Sequence, residues 1–202
     1  MQNASCKNLD ELKSIPVEKL FEAFDITKQQ MNIKSMICSP VIDGELVIDD
    51  SYKLFVKKDY NFVPCLIGST SEDIIPPIIQ SMSQQWAVSQ NNNSFCYMFN
   101  HQLPGDLNGA WHSSDLWDWF GTLDNCWRPM SDVDYELSNV MVRYLTNFVK
   151  NGNPNEDGLP IWDRACKKNK KVMHFSGEKV VMKKVDNKKL WHNLFTNKAV
   201  GE

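Results

Sequence analysis

Two short apolar runs constrain the fold of this chain more than any other feature. Residues 63–67 read VPCLI and residues 95–99 read FCYMF, and both are almost entirely apolar. Such runs are typical of short strands buried on both faces of a sheet. Pro76 opens a predicted helix between them. Four apolar residues of this helix recur at helical spacing: Ile78, Ile79, Met82 and Trp86. Strands alternating with helices predict the α/β fold class.

The longest predicted helix begins after Ser131, which can cap it, and stops at Gly152 and Pro154. Its apolar residues share one face: Leu137, Val140, Met141, Tyr144, Leu145 and Phe148. Beyond it, two strand-like segments flank Ser176 and Gly177 and predict a hairpin. A final helix is predicted around four apolar residues: Leu190, Trp191, Leu194 and Phe195.

The first 60 residues contain shorter elements. Asn8 is the predicted cap of one helix, with Glu11 as its reciprocal partner. Pro16 opens a second helix whose predicted apolar face consists of Leu20, Phe21 and Phe24. We therefore expect two parts, a helical and irregular segment over residues 1–60 and the α/β part over residues 61–202.

Composition excludes several classes of function. The net charge of −3 favours neither nucleic acid nor an anionic membrane, and no run approaches the roughly 18 apolar residues of a membrane span. Eleven basic residues lie between Arg164 and Lys198, but they alternate with core-like residues, which indicates a solvated face. The six cysteines lie at least 27 residues apart, so zinc spacing is absent and no metal or cofactor is expected. No signal peptide precedes the first helix, which predicts a cytoplasmic protein.

Acidic residues and a histidine follow the two predicted strands. The first strand leads into GSTSEDIIPP, which contains Glu72 and Asp73, and the loop after the second strand delivers His112. In open α/β sheets, ligands and catalysis gather at the carboxyl ends of the strands. An acid after one strand and a histidine after the next is the order found in α/β-hydrolase triads. On spacing alone, a structural histidine is the alternative.

Five segments, in order, resemble the type-B carboxylesterases, the family of bacterial esterases and cholinesterases. They run almost the whole length of the chain: KNLDELKSIPVEKL, SPVIDGELVIDDSYKLF, FVPCLIGSTSED, GAWHSSDLWDWFG and YLTNFVKNGNPNEDGLPIW. The resemblance implies the C-terminal portion of an α/β-hydrolase fold, with an incomplete sheet and packed helices. Residues 1–60 would then follow the nucleophile region, and the substrate would be a small carboxylic ester.

The resemblance implies specific roles for two residues. His112 would be the general base and Asp73 the acid that orients it. Asp73-Ile74 stands where Glu-Gly is common in the family, so Glu72 is a competing assignment for the acid. We prefer Asp73 because it is the fifth residue after Gly68, where the family's acid falls.

The nucleophile of the triad is not found in this sequence. The pattern G-x-S-x-G, which places serine on a strained turn, does not occur, and neither does a glycine-rich oxyanion segment. We therefore expect the chain alone to be inactive and to need a separate N-terminal esterase half that carries the serine. The alternative is a non-catalytic esterase-like remnant or binding module.

Aromatic residues surround His112 in the stretch GAWHSSDLWDWFG. Trp111, Trp117 and Phe120 are the predicted walls of the substrate pocket, with core packing as the alternative for each. Asp115 is expected to be structural, either bonding the loop or capping a helix that starts near Ser113. The other histidines are expected to have ordinary surface or packing roles: His101, His174 and His192.

Overall fold

The computed structural model describes residues 1–30, 40–91 and 93–196. The chain folds as two compact units, Met1–Tyr60 and Asn61–Glu202. Each unit is described by itself below.

The first unit is helical. It contains α1 (Leu9–Ser14), α2 (Val17–Gln30) and α3 (Ser51–Lys57). Asn8 caps α1 as expected, since its Oδ1 accepts a hydrogen bond from the Glu11 backbone N–H at 2.9 Å. On the predicted apolar face of α2, Leu20 and Phe21 are exposed and Phe24 is half-buried, whereas Ala23 is buried. Apolar spacing alone therefore did not identify the side of α2 that packs.

The second unit is built on a four-stranded sheet. In spatial order the strands are β1 (Leu66–Thr70), β2 (Phe95–Phe99), β3 (Lys171–Ser176) and β4 (Lys179–Lys184). The pairs β1–β2 and β2–β3 are parallel, and β3–β4 is the predicted antiparallel hairpin. The register places Leu66 opposite Phe95 and Met98 opposite His174. Carboxyl ends of three neighbouring strands therefore meet at one edge of the sheet.

The position predicted for β1 needs correction. The sequence placed this strand at residues 63–67 with Gly68 as its stop, whereas it runs from Leu66 to Thr70 with Gly68 inside it. A Cβ at Gly68 would clash with the Tyr97 carbonyl oxygen and lie 2.5 Å from the Tyr97 ring. Glycine at position 68 therefore allows β1 to approach Tyr97 closely, and it does not form a turn.

Both faces of the sheet are covered. On one face Phe95, Phe99 and Phe175 pack with α6 (Asp132–Asn151) and Trp162. On the other face the core contains residues from two strands and two helices, α4 (Pro76–Ser89) and α7 (Asn187–Thr196): Ala87, Cys96, Met98, Val172 and Leu190. Alternate residues of β2 thus enter two different cores, as expected of a strand buried on both faces.

The prediction for the longest helix is confirmed. Ser131 and Asp134 form a capping box at the start of α6, and Gly152 ends it in the left-handed conformation with φ 68°. The buried face contains Leu137, Met141 and Tyr144. In α7, Leu190 is buried and Trp191 is exposed, while the side chains of Leu194 and Phe195 lie outside the described residues.

Helix α4 starts at Pro76 as predicted, but two of its four regularly spaced apolar residues are exposed. Ile78 is exposed and the Met82 side chain is 63% exposed. The side that packs on the sheet carries Gln80, Ser83 and Ala87. Gln80 Oε1 accepts a hydrogen bond from Ser69 Oγ at 2.6 Å, so this side of the helix also makes a polar contact with β1.

Candidate active site

Two chain segments meet beyond the carboxyl ends of β1 and β2. The Glu72 backbone N–H donates to the Ala110 carbonyl at 2.9 Å, and Glu72 forms an isolated parallel bridge with Trp111. The loop after β2 therefore returns to lie beside the segment that follows β1. This pairing places residue 112 next to residue 73, although 39 positions separate them in the chain.

His112 and Asp73 form a close pair at this point. His112 Nδ1 lies 2.6 Å from Asp73 Oδ1, and the two side chains are 60% and 7% exposed, respectively. Asp73 Oδ1 also accepts a hydrogen bond from the Ile74 backbone N–H at 2.8 Å. A carboxylate acceptor on Nδ1 favours the tautomer with hydrogen on Nδ1. The Nε2 lone pair of the exposed ring is then available to accept a proton.

Glu72, the competing acid, is directed elsewhere. Its Oε1 accepts a hydrogen bond from Asn193 Nδ2 of α7 at 2.8 Å. A Cβ added at Gly109, where φ is +65°, would lie 2.6 Å from Glu72 Cγ. The Glu72 side chain therefore packs against Gly109 and α7, and Asp73 is the acid at hydrogen-bond distance from His112.

A cluster of polar contacts stabilises the loop that contains His112. Trp111 Nε1 donates to Asp106 Oδ2 at 2.7 Å, and the Arg128 guanidinium lies 2.9 Å from the same carboxylate oxygen. Arg128 Nη1 also donates to the Pro104 carbonyl at 2.8 Å, and Arg128 Cζ lies 4.8 Å from the Trp127 ring centroid. These contacts fix the residue directly before His112.

Asp115 is structural, as expected, but it does not cap a helix. The short helix α5 (Leu116–Trp119) has Asp115 at its N-cap position without a side-chain capping bond. Asp115 Oδ2 instead accepts hydrogen bonds from Tyr97 Oη at 2.9 Å and from Trp119 Nε1 at 3.1 Å. Burial raises the pKa of both Asp115 and Tyr97. Asp115 therefore joins the His112 loop to β2.

The aromatic residues around His112 occupy different environments. Trp119 is buried in the core against Tyr97 and Phe175. Trp111 and Trp117 are half-buried, and Phe120 is 67% exposed. Contact of Trp111, Trp117 and Phe120 with substrate stays a prediction.

A second histidine–aspartate pair was missed in the sequence. His101 Nε2 lies 2.6 Å from Asp134 Oδ1, and the Gly177 backbone N–H donates to His101 Nδ1 at 3.1 Å. Burial acts to raise the pKa of Asp134, but hydrogen bonds from His101 and Ser131 hold it below its usual value. Both ring nitrogens of His101 are engaged, so this pair ties β2, α6 and the hairpin together. Its two members are 33 residues apart, and no local sequence motif predicts that they form a pair.

No cluster of three or more histidine, cysteine, aspartate or glutamate side chains suited to a metal ion occurs within residues 1–30, 40–91 and 93–196. Over the same ranges, no helix is both long and apolar enough to cross a membrane.

Comparison with known proteins identifies the family. The model of the carboxylesterase family matches residues 74–192, more than half of the chain and including His112. This chain belongs to the carboxylesterase family. Carboxylesterase 4A from Bos taurus is 30% identical over 109 residues, which cover 51% of this carboxylesterase chain and 20% of that protein. Carboxylesterase 1C from Rattus norvegicus is 29% identical over 97 residues, 45% of this chain and 17% of that protein. The matches thus span a fifth or less of these relatives.

Solved structures confirm the fold of this carboxylesterase chain. A structure titled thermophylic pNB esterase superposes with a TM-score of 0.72 at 16% identity and covers 91% of this chain. The Geobacillus stearothermophilus carboxylesterase EST55 at pH 6.8 gives a TM-score of 0.69 at 16% identity and covers 95% of this chain. The chain spans about half of these two structures, 49% and 51%. The fold is therefore a portion of an α/β hydrolase, as the sequence predicted.

Proposed function

We propose that this chain supplies the base and the acid of a Ser–His–Asp triad that hydrolyses small carboxylic esters. The observation that carries the proposal is the 2.6 Å contact between a buried Asp73 carboxylate and an exposed His112 ring. A carboxylate on Nδ1 and an open Nε2 are the two features that a triad histidine needs. The nucleophilic serine comes from sequence outside these 202 residues.

Each side chain has a defined part in this reaction. His112 Nε2 accepts the proton of the serine hydroxyl as the hydroxyl oxygen attacks the ester carbonyl carbon. Asp73 keeps the imidazole in the correct tautomer and stabilises the imidazolium that forms. The same proton then passes to the departing alkoxide oxygen, which leaves an acyl-enzyme. His112 next takes a proton from water as the water oxygen attacks the acyl carbonyl carbon. It returns that proton to the serine oxygen when the bond to serine breaks and the carboxylic acid leaves.

We further propose that β1 is the attachment point for a separate N-terminal esterase half. Within the described ranges, β1 has a strand neighbour only on the β2 side. The segment that holds Asp73 follows this strand directly. A strand added in parallel to β1 would bring its own carboxyl end, and a serine placed there, to the edge that carries His112. The half-length match to solved esterases supports this arrangement.

The experiment combines the chain with an upstream fragment of a carboxylesterase that carries G-x-S-x-G. Alone, the chain should neither hydrolyse an activated aryl ester above the rate of free imidazole nor react with a fluorophosphonate. The oxyanion-hole donors, each worth roughly 10²–10³ in rate, would also come from the fragment. The mixture should gain both activities. Stoichiometric labelling of the chain alone would contradict the proposal, because one of its own serines would then be the nucleophile.

Two matched carboxylate variants test the assignment within the reconstituted enzyme. Asp73→Asn should lower kcat on the order of 10⁴-fold, since the amide favours the wrong tautomer of His112. Glu72→Gln should leave kcat within about tenfold, because Glu72 contacts Asn193 and no bond to the reacting histidine is lost. His112→Ala should abolish turnover. Equal losses in the two acid variants would refute the role of Asp73. A folded mixture without turnover would favour a non-catalytic module.

A further inference from the structure

The loop that carries His112 presents this histidine at the corner of a tight turn. The Ser114 backbone N–H donates to the Trp111 carbonyl at 3.0 Å, so residues 111–114 form a β-turn with His112 at its second position. Ser113, at the third position, has φ +68°, and a positive φ at the third position alone is the pattern of a type II turn. Serine rarely adopts this conformation, so the surrounding contacts must hold the turn in place.

Contacts hold the chain on both sides of this turn. After it, Ser114 is fully buried, and the Asp115 side chain bonds to β2 and to α5. Before it, the indole of Trp111 donates a hydrogen bond to an aspartate of the same loop. The His112 ring itself is 60% exposed. Its direction therefore depends on these two anchors and on its bond with Asp73.

Arg128 is the centre of the anchor before the turn. Its guanidinium lies 2.9 Å from Asp106 Oδ2 and donates to the Pro104 carbonyl at 2.8 Å, so it holds the residues on both sides of Gly105. The same Asp106 oxygen accepts the hydrogen bond from Trp111 Nε1 at 2.7 Å. The Arg128 and Asp106 side chains are only 10% and 17% exposed. Removing one partner of such a pair leaves the other charge largely buried and uncompensated.

We infer that Arg128 is a positioning residue for His112. It acts through Asp106 and Trp111, since each link of this path is a contact of 2.9 Å or less and Trp111 directly precedes the histidine. With Arg128 in place, Nδ1 of the ring stays at the Asp73 carboxylate and Nε2 stays open. Without it, the turn can tilt, and the ring loses the fixed acceptor that sets its tautomer. The catalytic meaning of this position rests on the proposed function, whereas the position itself does not.

Nitrogen NMR of the 202-residue chain with ¹⁵N-labelled histidine tests this inference without a serine nucleophile. At about pH 8, where a free imidazole is uncharged, the shifts of the two ring nitrogens report which one carries hydrogen, and a spectrum of His112→Gln assigns the His112 signals. The wild-type chain should show hydrogen on Nδ1. Arg128→Met keeps the apolar stem but removes the donors, and it should shift both nitrogens toward the averaged values of free imidazole. Unchanged shifts in a folded Arg128→Met chain would overturn the inference.

Two further variants separate positioning from general stabilisation. Arg143→Met is the matched control, because Arg143 on α6 also forms an ion pair, with Glu156 in the segment after that helix. It should leave the shifts unchanged, and an equal displacement in the two methionine variants would contradict a positioning role. Arg128→Lys keeps the charge at Asp106 but cannot hold Asp106 and Pro104 in one planar fork. Its shifts should therefore lie between those of the wild type and Arg128→Met.

Trp111→Phe tests the path, and it replaces Arg128→Met if that variant does not fold. It removes the Nε1 donor to Asp106 but keeps an aromatic ring, so it should displace the His112 signals in the same direction. The double variant should displace them little further than Arg128→Met alone, because both changes interrupt one path. Additive displacements would exclude the path through Trp111.

Kinetics of the reconstituted enzyme separate this inference from the proposed function. Arg128→Met should lower kcat roughly 10–100-fold with little change in KM, since a misplaced base affects the chemical step more than the binding of the ester. Lost turnover with unchanged His112 shifts would refute the positioning role and leave the triad intact. Displaced shifts, together with a wild-type mixture that has no turnover, would support the positioning role and count only against the triad.

Discussion

At the scale of single residues, the α/β unit contains a buried carboxyl group with a raised pKa. Asp118 is fully buried, and within the described residues neither of its carboxylate oxygens has a hydrogen-bond partner. Burial, reinforced by Asp134 and Asp115, raises the pKa of Asp118 to about 8. Asp115 and Asp134 differ because each accepts hydrogen bonds from neighbouring side chains. Asp118 is therefore protonated in the folded chain near neutral pH.

Asp118→Asn should change how stability depends on pH. The folded pKa lies above the unfolded value of about 3.9, so the wild-type contribution is fully present below pH 4 and is lost as the pH rises through 8. The amide removes this titration. At pH 8 we expect the variant to be more stable by about 1–3 kcal/mol, with little difference at pH 4. Urea unfolding at both pH values measures this, and the exposed Asp157→Asn is the control. A difference that does not vary with pH would contradict the assignment.

At the scale of elements, some parts of the fold could be predicted and others could not. The bounds of β2, α6 and the hairpin follow from local apolar runs, capping residues and turn residues, and these are properties of neighbouring positions. On the buried face of α4, Gln80 bonds to Ser69, and within β1 Gly68 lies close to Tyr97. Those contacts join distant segments, so periodicity could not reveal them.

In the candidate site, too, one contact could be predicted from the sequence and another could not. The order of acid and histidine after successive strands, together with the family resemblance, predicted the contact of Asp73 with His112. The bond between His101 and Asp134 was not predicted, because neither residue lies in a motif. The capping box explains why Asp134 lies at the start of α6. It does not predict that Asp134 also forms a hydrogen bond with His101.

Gly68→Ala tests the packing of β1 on β2. The added Cβ would clash with the Tyr97 carbonyl oxygen, and backbone atoms cannot move aside cheaply. We expect destabilisation of about 1–3 kcal/mol by strand displacement, measured by urea unfolding. The comparison is Gly152→Ala, where φ is +68° but no atom lies within 4 Å, so only conformational strain of about 1 kcal/mol is expected. A smaller effect at Gly68 than at Gly152 would show that β1 is not held in this register.

At the scale of the whole chain, several exposed apolar side chains lie at and near the start of α4. Ile74, Ile78 and Met82 are exposed, and they lie on or next to the helix that follows β1. An isolated exposed apolar residue is ordinary, but a contiguous patch beyond a few hundred Å² indicates an interaction surface. Among the residues that the structure describes, no strand pairs with the other side of β1, which leaves open backbone groups on the strand that precedes this helix. This surface is where the proposed N-terminal half would attach.

The final prediction concerns association of the isolated chain. The 202-residue chain should bind a hydrophobic dye and form larger species as its concentration rises, because the apolar patch and the open strand edge both favour self-association. The combined variant Ile74→Ser, Ile78→Gln and Met82→Gln should reduce dye fluorescence and shift light scattering toward monomer. Val149→Ser with Ile161→Ser removes two apolar side chains exposed elsewhere and should change neither signal. A monodisperse wild-type monomer without dye binding would exclude this surface as an attachment site.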